Sequence, residues 1–261
     1  MLIEYDGSGF RGWQSQTGGD TVQDAVEAAL SVVADAPTRV VCAGRTDTGV
    51  HALGQVVHFD TDAKRPLSAW VRGVNAHMPE SIAVLQAQTV AHDFHARFSA
   101  TARHYRYLLL NRPQRPGVSH HRVGWYHRPL DVDRMQAAAE WAIGEHDFSA
   151  FRSSECQAKS PVRTIHHLTI RRQHDLCIVD VSANAFLHHM VRNLIGTLIA
   201  VGTGKEEPVW MRELLTGGDR SLAAPTFSPA GLYLTRVDYD PRWNMKVGAG
   251  ETASIHGQEL I

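Results

Sequence analysis

The segment Cys42–His51, CAGRTDTGVH, holds the residues of this chain best suited to chemistry. A β-like run, Val40–Ala43, leads into Gly44, and Arg45, Thr46 and Asp47 follow before Gly49. A second β-like run, Gln55–Phe59, takes up the chain after the loop GRTDTGVHALG. One cation and one carboxylate thus sit at the tip of a tight turn held by a strand on each side. A nucleophilic or acid/base aspartate gains most from such a rigid mount. The same residues also suit an Asx-type turn in which Asp47 only bonds nearby amides. A second constellation is Ala185–Asn193, AFLHHMVRN, at the start of an apolar helical stripe. Arg192 lies off that stripe with His188 and Asn193. A guanidinium near a helix N-terminus is electrostatically unfavourable, so it either answers a specific anion or is an ordinary surface arginine.

Two other patterns are decoys. Gly202-Thr203-Gly204-Lys205 imitates a phosphate-binding loop. Ile199, however, stands where that loop needs its first glycine, and Glu206 stands where a hydroxyl would hold Mg²⁺. A helix C-terminus with cap glycines is expected instead. Sixteen histidines, with doublets at 120–121, 166–167 and 188–189, suggest a metal. They show no metal-ligand spacing, and neighbours on a strand or helix point to different sides, so no metal site is expected.

These loops need elements to position them. Leu2–Tyr5 reads as a strand and DGSGFRGW as a glycine-rich turn. Thr21 caps a helix through Val22, Val26, Leu30 and Val33 that Pro37 closes. A helix over Leu67–Asn75 and a strand over Ile82–Leu85 follow. The alternation then repeats: strand Thr101–Leu110, a helix from Asp131 to Ile143, strands Thr164–Arg172 and Leu176–Ala183, the stripe Leu187–Ile199, and strand Gly231–Asp238. Hairpin-like strand pairs with interspersed helices predict an α+β fold of two similar halves, with mainly antiparallel sheets flanked by helices. The expected division is 1–98, 99–241 and a polar, poorly ordered tail over 242–261.

Composition supports packed cores: 43% of residues are hydrophobic and 20% charged. No run of roughly 18–20 apolar residues is present to span a membrane. MLIEYDGSGF lacks the basic start and apolar run of a signal peptide. Three scattered cysteines argue against a disulfide framework, so a soluble, cytoplasmic protein is expected. The net charge of −1 hides segregation. Residues 1–93 carry −5, whereas residues 94–130 hold seven arginines and no acid. Tyr105, Tyr107, Trp125 and Tyr126 are interleaved with those arginines. Cations for phosphates with aromatic faces for bases suit a polyanion surface. A solvated face whose arginines pair with acidic segments elsewhere has the same composition.

Six collinear blocks carry a family resemblance: IEYDGSGFRGWQSQ, TVQDAVEAAL, CAGRTDTGVHALGQVVHFD, DFHARFSATARHYRYLLLN, DFSAFRSSECQAKSPVRTI and NAFLHHMVRNLIGTLIAVGTG. Together they make the chain resemble the tRNA pseudouridine synthase A family through about residue 240. Two departures stand out: the chain begins almost at the IEYDG motif, and Thr48 replaces the more usual alanine after the aspartate. The resemblance implies conversion of uridine to pseudouridine at tRNA positions 38, 39 and 40, in the anticodon stem-loop. It implies an active-site cleft between the halves and a homodimer whose two subunits touch one tRNA.

The resemblance also implies residue roles. Asp47 matches the nucleophile, Arg45 the arginine associated with base flipping, and Tyr105 the ring that stacks on the target uracil. Arg192 matches the arginine that pairs with the carboxylate, so the two side chains are expected to meet. Lys64 and Arg65, the segment Phe94–Phe98 with His95 and Arg97, and the segment Glu155–Lys159 match places of tRNA contact. The charge map predicts that Arg103 and Arg163 line one phosphate-binding cleft together with Arg97, Lys159, Lys64 and Arg65.

The reaction breaks an N–C glycosidic bond and rejoins the uracil through carbon, so no redox cofactor, nucleotide or metal is required. Turning the uridine out of the stack costs about a few kcal/mol, and stacking on an aromatic ring returns roughly 1–3 kcal/mol. The alternative is a non-catalytic tRNA-binding protein or RNA chaperone on the same scaffold, and a metal hydrolase built on the histidines is more distant.

Overall fold

The computed structural model describes residues 1–245 of the 261. Its elements in chain order are Leu2–Tyr5 (β1), Val22–Ala34 (α1), Val41–Cys42 (β2), His51–His58 (β3), Leu67–Asn75 (α2), Ile82–Gln86 (β4) and Ala100–Asn111 (β5). Gly124–Tyr126 (β6), Val132–Glu140 (α3), Gly144–Asp147 (β7), Val162–Gln173 (β8), Leu176–Ala183 (β9), Met190–Gly202 (α4), Trp210–Gly217 (α5) and Leu232–Tyr239 (β10) follow. The chain forms two compact units, Met1–Arg103 with the segment from Tyr233 onward, and His104–Leu232. This differs from the expected division at 98/99. The last strand joins the first unit because Tyr233 and Leu234 pair in parallel with His51 and Ala52.

In the first unit the strands are ordered β4-β1-β3-β10, and β2 pairs antiparallel with β3. β1 is antiparallel to both neighbours, with Ile3 opposite Gln55 of β3 and Val84 of β4. Thr21 caps α1 as its sequence indicates, its hydroxyl oxygen accepting from the Asp24 amide. That helix buries Val22, Val26, Ala29 and Leu30 and packs on α2. With Ile3, Trp13, Val56 and Val74 these side chains form the core, each fully buried aliphatic contributing about 1.5–3 kcal/mol. β3 starts at His51, earlier than its apolar run suggests, because Gly54 reads as a turn signal. A Cβ on Gly54 would lie 2.4 Å from the Thr235 carbonyl, so the glycine serves close approach of β10 within a strand.

In the second unit β9 and β8 form a long antiparallel hairpin, and β7 extends it at the edge. β5 pairs in parallel with β6, Leu109 opposite Gly124. Of these described pairings most are antiparallel, and β3–β10 and β5–β6 are parallel. α4 is buried on nearly every side, and α3 packs on both α4 and β8. α4 ends in the expected glycine cap, with Gly204 at φ +72. The stripe from Leu187 starts helix only at Met190, because His189 is left-handed at φ +63. β7, sequence GEHD, and α5 have no expected counterpart, since a short polar edge strand carries no alternation.

No helix among the described residues is long and apolar enough to cross a membrane. The expected tail begins with structure: Pro241–Trp243 is a 3₁₀ turn, and Trp243 packs edge-on against Phe94. The rest of that segment, from residue 246, lies outside the described residues.

Candidate active site

Asp47 lies on the loop between β2 and β3, half-buried, with exposed Arg45 and Thr48 beside it. A turn closes over it, the Val50 amide donating to the Asp47 carbonyl at 3.1 Å. The intervening residues are turned inward. Thr46 is 7% exposed and its hydroxyl meets the Tyr5 hydroxyl at 2.8 Å, while its carbonyl accepts from the Trp13 amide at 2.9 Å. Gly44 is gripped by fully buried Gln55, which donates to the Gly44 carbonyl at 2.6 Å.

The glycine-rich turn after β1 buttresses this loop. A Cβ on Gly7 would fall 2.0 Å from the Val50 carbonyl oxygen. One on Gly12, where φ is +89, would stand 2.9 Å from the Thr46 carbonyl and 3.1 Å from atoms of the Asp47–Thr48 peptide. Gly7 and Gly12 of DGSGFRGW therefore let two backbones touch, a role their spacing did not reveal. His51, 2% exposed, closes the far side, stacked on Tyr233 at 4.6 Å, with Nδ1 3.1 Å from the Gly7 amide. Cys42 at the loop's root is no competing nucleophile, since burial pushes its thiol up to about 12 despite the pull of Arg45.

Of the residues expected to contact RNA, Lys64 and Arg65 are exposed, Arg65 donating to the Val33 carbonyl. Phe98 is 75% exposed, stacked on His95 at 4.3 Å, and Arg97 covers its ring at 5.6 Å. Phe94 behaves differently. It is 5% exposed and packs against Tyr239 at 5.1 Å, so it is a core ring. Arg103 is also turned inward, donating to the carbonyls of Ala43, Arg97 and Ala100. It ties the root of the Asp47 loop to the Arg97 segment, a structural duty in place of the expected phosphate contact.

In the second unit Tyr105 lies on β5, buried, with its ring edge-on to Phe186 at 5.1 Å. Arg192 is in the first turn of α4, its Nε donating to the Phe227 carbonyl at 2.9 Å. The Phe227 amide returns a bond to the Arg192 carbonyl, so this guanidinium has a fixed base. Lys159 is exposed. Arg163 donates to the carbonyls of Ser160 and Val162, and burial lowers its pKa. The loop before it is braced by Arg152, which donates to the Cys156 and Ala158 carbonyls.

Taken by itself, the arrangement around Asp47 aims one carboxylate and one guanidinium from a loop whose backbone is pinned on both sides. Residues 1–99 and 138–240 match a family model described as tRNA pseudouridine synthase. The chain is 60% identical over 243 residues to "tRNA pseudouridine synthase A" of Dechloromonas aromatica, covering 93% of each protein. It is 57% identical over 247 residues to the protein of that name from Nitrosomonas europaea, covering 95% of this chain and 91% of that one. Among solved structures it is similar to a chain of a Cbf5–Nop10–Gar1 complex, with TM-score 0.42 and 12% identity, over 90% of this chain and 48% of that chain.

Proposed function

Since the chain belongs to the tRNA pseudouridine synthase family and is thereby an isomerase of tRNA, we propose that it converts uridine to pseudouridine at positions 38, 39 and 40 of the anticodon stem-loop. Asp47 is the nucleophile, attacking the sugar or the base of a uridine turned out of its stack. Arg45 occupies the vacated space, Tyr105 stacks on the uracil, and Arg192 is the guanidinium that answers the carboxylate. Desolvation by RNA would raise the pKa of an aspartate, and an opposing guanidinium keeps it ionised. Arg97, Phe98, His95, Lys64, Arg65 and Lys159 contact tRNA, and the working unit is a cytoplasmic homodimer.

The observation that carries this reading is the Asp47 loop. A merely structural Asx turn would not need residues 44 and 46 anchored inward around an exposed Arg45 and a half-buried Asp47. A supported aspartate of this kind is what covalent catalysis requires. Purified protein incubated with unmodified tRNA, without added metal or nucleotide, is expected to form pseudouridine at those positions. Asp47→Asn is expected to abolish product while tRNA binding survives. Product from Asp47→Asn would favour a role for the aspartate in binding alone, and a wild type that binds tRNA without product would favour the chaperone reading.

A further inference from the structure

Three polar side chains sit in the core of the first unit: Tyr5 at 4% exposure, Thr46 at 7% and Gln55 at 0%. They are bonded to one another and to the loop. Gln55, on β3 opposite Ile3 of β1, uses both ends of its amide on one residue. Its Nε2 donates to the Gly44 carbonyl at 2.6 Å, and its Oε1 accepts from the Gly44 amide at 3.4 Å. The same Nε2 reaches the Tyr5 oxygen at 3.5 Å, and the Tyr5 hydroxyl meets Thr46 Oγ1 at 2.8 Å.

The relay therefore runs from the sheet to residues 44 and 46, the immediate neighbours of Arg45 and, at Thr46, of Asp47. Burying such groups is costly unless each finds a partner, and a satisfied network fixes one arrangement where an apolar core would permit several. We infer that Tyr5, Gln55 and Thr46 are positioning residues for the reaction, holding Gly44 and Thr46 inward so that Arg45 and Asp47 present to the uridine with fixed spacing. The inference rests on the assignment of Asp47 as nucleophile. None of the three acts on the substrate; Tyr5 works through Thr46, and Gln55 through Gly44.

The test is a double-mutant cycle on Tyr5→Phe and Thr46→Val. Both substitutions keep side-chain volume, and the phenylalanine keeps the ring that faces Trp13 at 6.0 Å. Pseudouridine formation is followed in single turnover, with enzyme in excess over unmodified tRNA, beside the Kd for tRNA and a thermal melt. Each single variant is expected to slow the chemical step by about 10- to 100-fold, the scale of a displaced reacting group, with the Kd for tRNA within about twofold of wild type. The double variant is expected to be no slower than the slower single, since both remove the same bond. Gln55→Leu, which acts through the other anchor, is expected to slow the step further when combined with Thr46→Val. Single-turnover rates within about twofold of wild type, losses that multiply between Tyr5→Phe and Thr46→Val, or a Kd that rises in step with the lost rate would each overturn the inference. An inactive wild type would instead overturn the assignment of activity itself, so the two failures are distinguishable.

Discussion

Gly12→Ala is the sharpest perturbation of the loop, because its cost can be worked from the backbone. At φ +89 an alanine gives up about 1–2 kcal/mol relative to glycine. Its Cβ would also meet the Thr46 carbonyl at 2.9 Å and the Asp47–Thr48 peptide at 3.1 Å, all backbone atoms that cannot rotate away. The peptide must then yield by a few tenths of an ångström, which brings the total to about 2–3 kcal/mol. Against a typical reserve of about 5–15 kcal/mol the variant stays folded, with Tm lowered by about 4–12 °C. Its activity should nonetheless fall about 10- to 100-fold, because the peptide that yields is the one carrying Asp47. Gly9→Ala is the matched control, since nothing lies within 4 Å of its Cβ and its φ is not positive. Single-turnover pseudouridine formation at 25 °C, with circular dichroism melts of both variants, decides the matter. A Gly12→Ala variant with the expected Tm drop and wild-type rate would refute the idea that backbone contact positions Asp47.

Two further outcomes follow from the first unit. Burial, then the neighbouring His95, holds the pKa of His58 below the usual histidine value, against a smaller opposing pull from Asp60. His58 Nδ1 also accepts from the Ala96 amide at 3.1 Å, a bond that the protonated ring cannot keep. The unfolded chain, with histidine near pH 6.5, then binds more protons, so stability is full above about pH 6.5 and is lost as pH falls through the lower folded pKa. Urea midpoints should decline over that range and decline less in His58→Asn; equal slopes for the two proteins would contradict this. Phe94→Ala should cost about 3–5 kcal/mol of stability, whereas Phe98→Ala should leave the melt unchanged and weaken tRNA binding; the reverse pattern would return Phe94 to the RNA-facing set.

Much of this was legible because the signals are local. The Thr21 cap, the apolar spacing of α1 and the break before Pro37 all act within one turn of chain, and the structure places α1 where they indicate. Leu67–Asn75 is likewise a helix from end to end. The misplaced features depend on partners far along the chain. Gly54 reads as a turn until Thr235 is known to lie against it, and β10 reads as part of the second half until Tyr233 is seen opposite His51. Arg103 illustrates the same limit for charge: the composition of the arginine-rich block suits phosphate contact or pairing with acids, yet this member is 9% exposed and bonded to three carbonyls.

The candidate site divides along the same line. Arg45 and Asp47 could be singled out because their types announce chemistry, one exposed and the other half-buried at the loop tip. Tyr5 and Gln55 could not, because within a strand pattern they resemble a core aromatic and an outward-facing polar residue. Alternation even argues the wrong way for Gln55, which stands at 0% exposure between Gly54 and Val56 of β3. A buried amide in a strand is tolerated only if something consumes its donors and acceptor, and here that consumer is the backbone of Gly44. Tyr5, Gln55 and Thr46 meet at the root of the Asp47 loop, and under the catalytic role proposed for Asp47 an error of an ångström there costs about 100-fold in rate, which offsets what a satisfied polar network costs in stability.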